Sequence, residues 1–158
     1  MIEKTCCFTG HRKIPHGSIP LVTEKLNENI VKLIKKGYRY FGAGGAIGFD
    51  TIAAGCVIEL KKIYPDIRLI LVLPCISQAD GWHERDRQLY RKIKEQADKV
   101  VYISREYTST CMHLRNRHLI NHSSACICYL TEPSGGTAYT VKYAEQLGRK
   151  VINIADFL

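Results

Sequence analysis

The sequence predicts an α/β protein in which a doubly wound, mostly parallel sheet of about six strands carries helices on both faces. Three observations lead there. Short β-rich runs alternate with longer segments of helical period from end to end, the pattern produced by parallel strands joined through crossover helices. Several of these runs are apolar at successive positions, as strands covered on both sides must be. Glycines stand just past two of the helical segments, Gly37 and Gly148, where a left-handed residue ends a helix at no steric cost.

The strands are read at residues 5–9, 38–42, 67–73, 99–104, 125–130 and 150–154, with five helices between them. In the first helix, Val22, Leu26, Ile30, Leu33 and Ile34 form an apolar stripe. In the second the stripe is Ile52, Ala53, Cys56, Val57, Leu60 and Ile63, and Pro65 lies just beyond its end. The third, residues 84–97, offers only a narrow seam of Leu89, Ile93 and Ala97, so its charged remainder faces water. A fourth carries His118 and His122, and the fifth runs from the Gly135-Gly136-Thr137 turn to Gly148.

A chain of 158 residues is the size of one domain and buries roughly two-thirds of the surface its unfolded form exposes. It is 46% hydrophobic and 24% charged, with no Pro-, Ser- or Gln-rich tract, so residues 1–158 are assigned to a single domain. The 23 basic and 15 acidic side chains give a formal charge of +8, which attracts anions without choosing among them. Most of the bases, including Arg85, Arg87, Arg91, Lys92 and Lys94 on one helical segment, read as solvated helix faces rather than one contiguous stripe.

Seven cysteines at irregular spacings match neither a disulfide framework nor paired zinc knuckles, so reduced thiols in a cytoplasmic protein are expected. Cys6, Cys7, Cys126 and Cys128 fall within apolar strands and read as small core residues. The N-terminus has no secretory h-region, and the longest apolar run, residues 69–73, is too short for a bilayer, so no membrane association is expected.

In a doubly wound sheet, ligands gather beyond the carboxyl ends of the strands, where loops lead into helix N-termini whose free N–H groups favour anions. Three loops there carry chemistry. Thr9-Gly10-His11-Arg12 follows the first strand, and Arg12 can pair bidentately with phosphate or carboxylate. The second strand ends in Gly42-Ala43-Gly44-Gly45-Ala46-Ile47-Gly48-Phe49-Asp50, whose glycines let backbone approach a phosphate. It lacks the Gly-Lys-Ser/Thr of a Walker loop, and Asp50 reads either as a helix cap or as a ribose ligand. Glu132-Pro133-Ser134-Gly135-Gly136-Thr137 opens the last helix as another anion-ready turn. Gln78 and Trp82 follow the third strand, where the indole reads either as a base-stacking ring or as packing. His118 and His122 share the i, i+4 spacing of metal ligands but lack a third partner, and no metal is predicted.

The stretch Cys6-Cys7-Phe8-Thr9-Gly10-His11-Arg12 resembles the opening of the YpsA-like proteins of the SLOG superfamily, which is named for the DNA-processing protein DprA and the cytokinin-activating LOG enzymes. The resemblance continues through Gly48-Phe49-Asp50, Gln78 with Trp82, Cys111-Met112, Arg115-Asn116-Arg117, and Gly135-Gly136-Thr137 with Thr140-Val141 and Tyr143-Ala144. It implies a Rossmann-like fold that binds a nucleotide or nucleotide derivative at the carboxyl edge of the sheet. Thr9, Gly10, Arg12, Gly44, Gly45, Asp50, Arg115, Asn116, Gly135, Gly136 and Thr137 line the implied pocket. It also implies a homodimer, the superfamily's common form. LOG-type phosphoribohydrolases carry a glutamate shortly after the corresponding glycine and threonine, whereas Ala138, Tyr139 and Thr140 stand here, so that activity is not expected.

Three functions compete. The first is a sensor or regulatory domain that holds a small phosphorylated ligand through backbone amides and Arg12, without a required cofactor and without breaking a bond. The second is a hydrolase or transferase acting on a nucleotide, with His11 as acid or base and Asp50 or Glu132 as partner. The third is DprA-like binding of single-stranded DNA through Arg85, Arg87, Arg91 and Arg115 around Trp82. It ranks last because the aromatics are not interleaved with the bases.

Overall fold

A computed structural model describes residues 1–158. Six strands, β1 (Thr5–Gly10), β2 (Tyr40–Ala43), β3 (Arg68–Leu73), β4 (Lys99–Tyr102), β5 (Ala125–Tyr129) and β6 (Lys150–Asn153), form one sheet in the order β4-β3-β2-β1-β5-β6. Every pair is parallel. The crossovers are α1 (Ile19–Lys35), α2 (Phe49–Lys61), α3 (Glu84–Gln96), α4 (Cys111–Asn121) and α5 (Gly136–Gln146). This is the doubly wound, Rossmann-like fold that the alternating pattern predicts.

The strands read as apolar throughout because each face meets a different core. Cys6, Phe8, Phe41, Leu69, Leu71, Ala125 and Ile127 belong to the larger core, into which α1, α2 and α3 press Leu26, Ile30, Val57 and Ile93. Cys7, Val72, Cys126 and Cys128 point the other way and meet Leu119 and Ile120 of α4 and Val141 and Ala144 of α5. All seven cysteines are buried and free. Alternation along one strand thus places neighbours in separate cores, as the pleat requires. Gly37 (φ 99°) and Gly148 (φ 73°) both take the left-handed conformation just beyond α1 and α5.

The seam of α3 differs from the sequence reading. Tyr90 and Ile93 are buried in the larger core while Leu89 is 43% exposed, and the ring of Trp82 meets Tyr90 edge-on at 5.3 Å, covering that side of the helix. The second strand also starts two residues late. Tyr38 remains in the preceding turn, where its hydroxyl and that of Ser124 hydrogen-bond at 2.8 Å.

Candidate functional site

From the central strand β1 the chain winds outward through β2, β3 and β4, then returns to the other side of β1 for β5 and β6. The order therefore reverses between β1 and β5. Loops leaving these two strands diverge to opposite faces of the sheet and leave a crevice, the usual ligand position in an open α/β sheet. Here a cleft of about 340 Å³ opens at that point, lined by the β1 loop, the start of α4 and the turn before α5.

Of the residues singled out from the sequence, Thr9, Gly10, His11, Arg12, Asp50, Arg115, Asn116, Glu132, Ser134, Gly135, Gly136 and Thr137 come together in this cleft. Gly44, Gly45, Gly48, Gln78 and Trp82 do not line it. The space beside the β2-loop glycines is filled by the protein itself. A Cβ on Gly44 would sit 2.5 Å from the Arg115 guanidinium, one on Gly45 2.5 Å from Leu73, and one on Gly48 2.3 Å from the Arg12 carbonyl oxygen. Those glycines make room for other parts of the chain. Gly135 and Gly136 are the opposite case, since a Cβ on either would meet nothing within 4 Å. Trp82 packs on Tyr90, and Gln78 donates from Nε2 to the Gly44 carbonyl at 3.4 Å.

The cleft floor is charged and buried. Asp50, 6% exposed, accepts a hydrogen bond at 3.2 Å from the Ala46 N–H in the loop that precedes its own helix. Burial pushes its carboxyl above the usual carboxylate range, opposed by the nearby positive charges of Arg115 and Arg12. Arg115, 5% exposed, donates from Nη1 to the Gly44 carbonyl and from Nε to Asn116 Oδ1 at 2.7 Å. Burial lowers its pKa, and the Asp50 charge resists that shift.

At the rim the partners thin out. Arg12 is exposed and its guanidinium contacts only the sulfur of Met112, at 3.5 Å, with no carboxylate in ion-pair range. His11 Nε2 accepts the Thr131 N–H at 2.9 Å, so the neutral ring carries its proton on Nδ1. Glycines 135 and 136 expose backbone where α5 begins. A guanidinium without a carboxylate partner and open backbone at a helix start, lining one cleft, are suited to an anion.

Ala46, Met112 and His113 also line the cleft but were not singled out as ligands from the sequence. Met112 and His113 lie three residues before Arg115 and Asn116, so helical spacing on α4 was the available signal. A second, apolar hollow of about 470 Å³ lies against the sheet beside α4, lined in part by Gly42, Ile70, Val72, Val101 and Leu119. His118 and His122 stand at its edge with rings stacked 4.1 Å apart. No group of three or more His, Cys, Asp or Glu side chains is placed to hold a metal. No helix is long and apolar enough to cross a membrane.

The fold and the crevice define a doubly wound α/β protein with an anion-suited cleft at its topological switch point. More particularly, the chain belongs to the YspA SLOG family, whose model matches residues 7–155. It is 30% identical over 155 residues to a UPF0398 protein of Bacillus thuringiensis strain Al Hakam, covering 92% of this chain and 84% of that one. The UPF0398 protein of Bacillus cereus strain ATCC 14579 matches at the same identity and coverage. Among solved structures, DNA processing protein A of Streptococcus pneumoniae superposes with a TM-score of 0.67 at 15% identity over 94% of this chain. The chain spans about half of that protein, 49%. DprA of Helicobacter pylori, described for its single-stranded DNA binding mode, gives 0.65 at 17% identity, covering 93% of this chain and 63% of the other. At these identities the likeness is one of fold.

Proposed function

We propose that the cleft binds the phosphate of a nucleotide or nucleotide derivative and that the protein acts as a sensor or regulatory binder rather than by breaking a bond. The supporting observation is Arg12, an exposed cation with no acidic partner, lining the same cleft as the open backbone of Gly135 and Gly136. Asp50, Asn116 and Thr137 supply acceptors and donors for a sugar beside it. Two features favour binding over turnover. His11 already uses Nε2 to hold Thr131, and no acid follows Thr137 at residues 138–140. A cytoplasmic location and a homodimeric state belong to the same reading, the first supported by seven free thiols.

Titration calorimetry at low ionic strength with pyrophosphate, adenosine monophosphate and adenosine diphosphate tests this. Binding without product, weakened about ten-fold or more by Arg12→Ala and less by Arg12→Lys, is the expected outcome. Absence of binding by all three, or affinity indifferent to Arg12, overturns it. Release of a free base, ribose phosphate or orthophosphate during the titration favours the hydrolase reading.

A second reading, binding of single-stranded DNA, draws on the Helicobacter pylori neighbour. The basic patch expected around Trp82 does not support it, because Arg87 and Arg91 both pair with Glu84, and Arg115 is buried in the cleft.

A further inference from the structure

Beyond the phosphate cleft, α4 and α5 carry His113, Arg117 and Tyr139 on exposed positions, beside Tyr143, which is half-buried against the smaller core. His113 lines the cleft, and its ring lies 4.1 Å from that of Tyr139. One turn along α4, the Arg117 guanidinium lies 4.7 Å from the Tyr143 ring centre and 5.8 Å from that of Tyr139, and donates to the Tyr139 hydroxyl at 2.6 Å. The Tyr143 hydroxyl donates to Asn121 at 2.6 Å. His113, Arg117 and Tyr139 are exposed, Tyr139 by 39%, and none touches an acidic side chain.

Helical spacing explains the strip. His113 and Arg117 are i, i+4 on α4, Tyr139 and Tyr143 are i, i+4 on α5, and the two rows interleave. From His113 to Asn121 it runs about 12 Å along the helix axis. Its near end is continuous with the cleft, since Gly136 and Thr137, at the cleft wall, lie within one turn of Tyr139. Flat rings alternating with a guanidinium, without competing carboxylates, are the surface on which a heteroaromatic base stacks, and stacking tolerates any base because each has a π-face.

We propose that this strip is a base-stacking site for the ligand whose phosphate occupies the cleft, with Tyr139 and His113 as its principal contacts. The inference rests on the phosphate reading of the cleft. A nucleobase joined to a phosphate can come from a free mononucleotide or from a strand, and the test separates the two.

The affinities of pyrophosphate, adenosine monophosphate and a short oligothymidylate are compared for the wild-type chain and for Tyr139→Ala, Tyr139→Phe, His113→Ala and Arg12→Ala. Tyr139→Ala is expected to weaken a base-bearing probe by about ten-fold while leaving pyrophosphate unchanged, His113→Ala to weaken the base-bearing probes more than pyrophosphate, and Tyr139→Phe to stay close to wild type. Loss confined to adenosine monophosphate identifies a mononucleotide, and loss confined to or larger for the oligothymidylate identifies a strand. Equal affinity of the alanine variants and wild type for both base-bearing probes overturns the strip while sparing the cleft, provided Arg12→Ala still weakens them. Failure of every probe to bind the wild-type chain overturns both.

Discussion

His11 and Thr131, 120 residues apart, are joined directly: the imidazole Nε2 accepts the threonine amide proton at 2.9 Å. The bond ties the loop after β1 to the loop after β5, the two segments that flank the crevice. In His11→Ala, water can reach the exposed Thr131 amide, so stability should fall by only about 1 kcal/mol. Hydrogen exchange at the Thr131 amide should nonetheless accelerate, and pyrophosphate affinity should drop as the walls separate. Unchanged exchange at Thr131 contradicts the tie.

Gly48 and Gly135 both have positive φ, 89° and 102°, but only Gly48 is crowded. Gly135→Ala adds backbone strain alone, about 1–3 kcal/mol. Gly48→Ala adds the same strain and drives a methyl into the Arg12 carbonyl, so it should unfold at lower urea than Gly135→Ala and displace the Arg12 loop. Urea denaturation of the two variants side by side checks the order, and the reverse ranking contradicts the packing described.

The raised pKa of Asp50 has a definite sign. Because the buried carboxyl gives up its proton less readily than in the unfolded chain, the unfolded state binds fewer protons and stability declines as pH rises above 3.8 toward the folded-state value. Asp50→Asn keeps an oxygen for the Ala46 amide and removes the charge. Its Tm should therefore exceed that of the wild type at neutral pH, and the difference should shrink as pH falls through the folded-state value toward 3.8, below which it no longer changes. Thermal melts across that range with equal or lower Tm for the variant at neutral pH refute the assignment.

All seven thiols are buried; burial holds that of Cys6 well above the ordinary range and those of Cys56 and Cys128 at about 12, while a hydrogen bond with Cys7, together with burial, holds that of Cys126 well above it. The thiolate is the reactive form. Ellman's reagent at mildly alkaline pH should leave the folded chain almost unlabelled and modify seven cysteines once guanidinium is added. Rapid labelling of the folded chain contradicts the burial.

Trp82 does not reach the cleft, so Trp82→Phe should preserve ligand affinity while lowering stability through the lost edge-on contact with Tyr90. A ten-fold loss of nucleotide affinity in that variant would instead place the indole at the ligand.

The order of elements was legible in the sequence because periodicity reports burial, and here burial is two-sided and regular. Cys6 and Cys7 show why, each filling a different core one residue apart. That the β1 and α5 turns meet at one cleft was legible because strand ends of a doubly wound sheet converge. The packing of the β2-turn glycines was not. A glycine needed by a neighbouring side chain, as Gly44 is by Arg115, looks the same in sequence as one needed by a phosphate. The distinction depends on a residue 71 positions away. The aromatic strip escaped for a related reason, since its two rows come from separate helices and meet only after both dock on the sheet.

The central place of β1 imposes a timetable on synthesis. Of the six strands it is made first, and its register with β2 needs only residues through Ala43, whereas its other edge waits for Ala125 to Tyr129. Until then a nascent chain presents an unpaired, apolar border to every other polypeptide nearby, a template for strand addition. Ribosome stalling or truncation between α3 and β5 should therefore yield aggregates rather than half-sized soluble fragments, a cost intrinsic to placing the earliest strand in the middle.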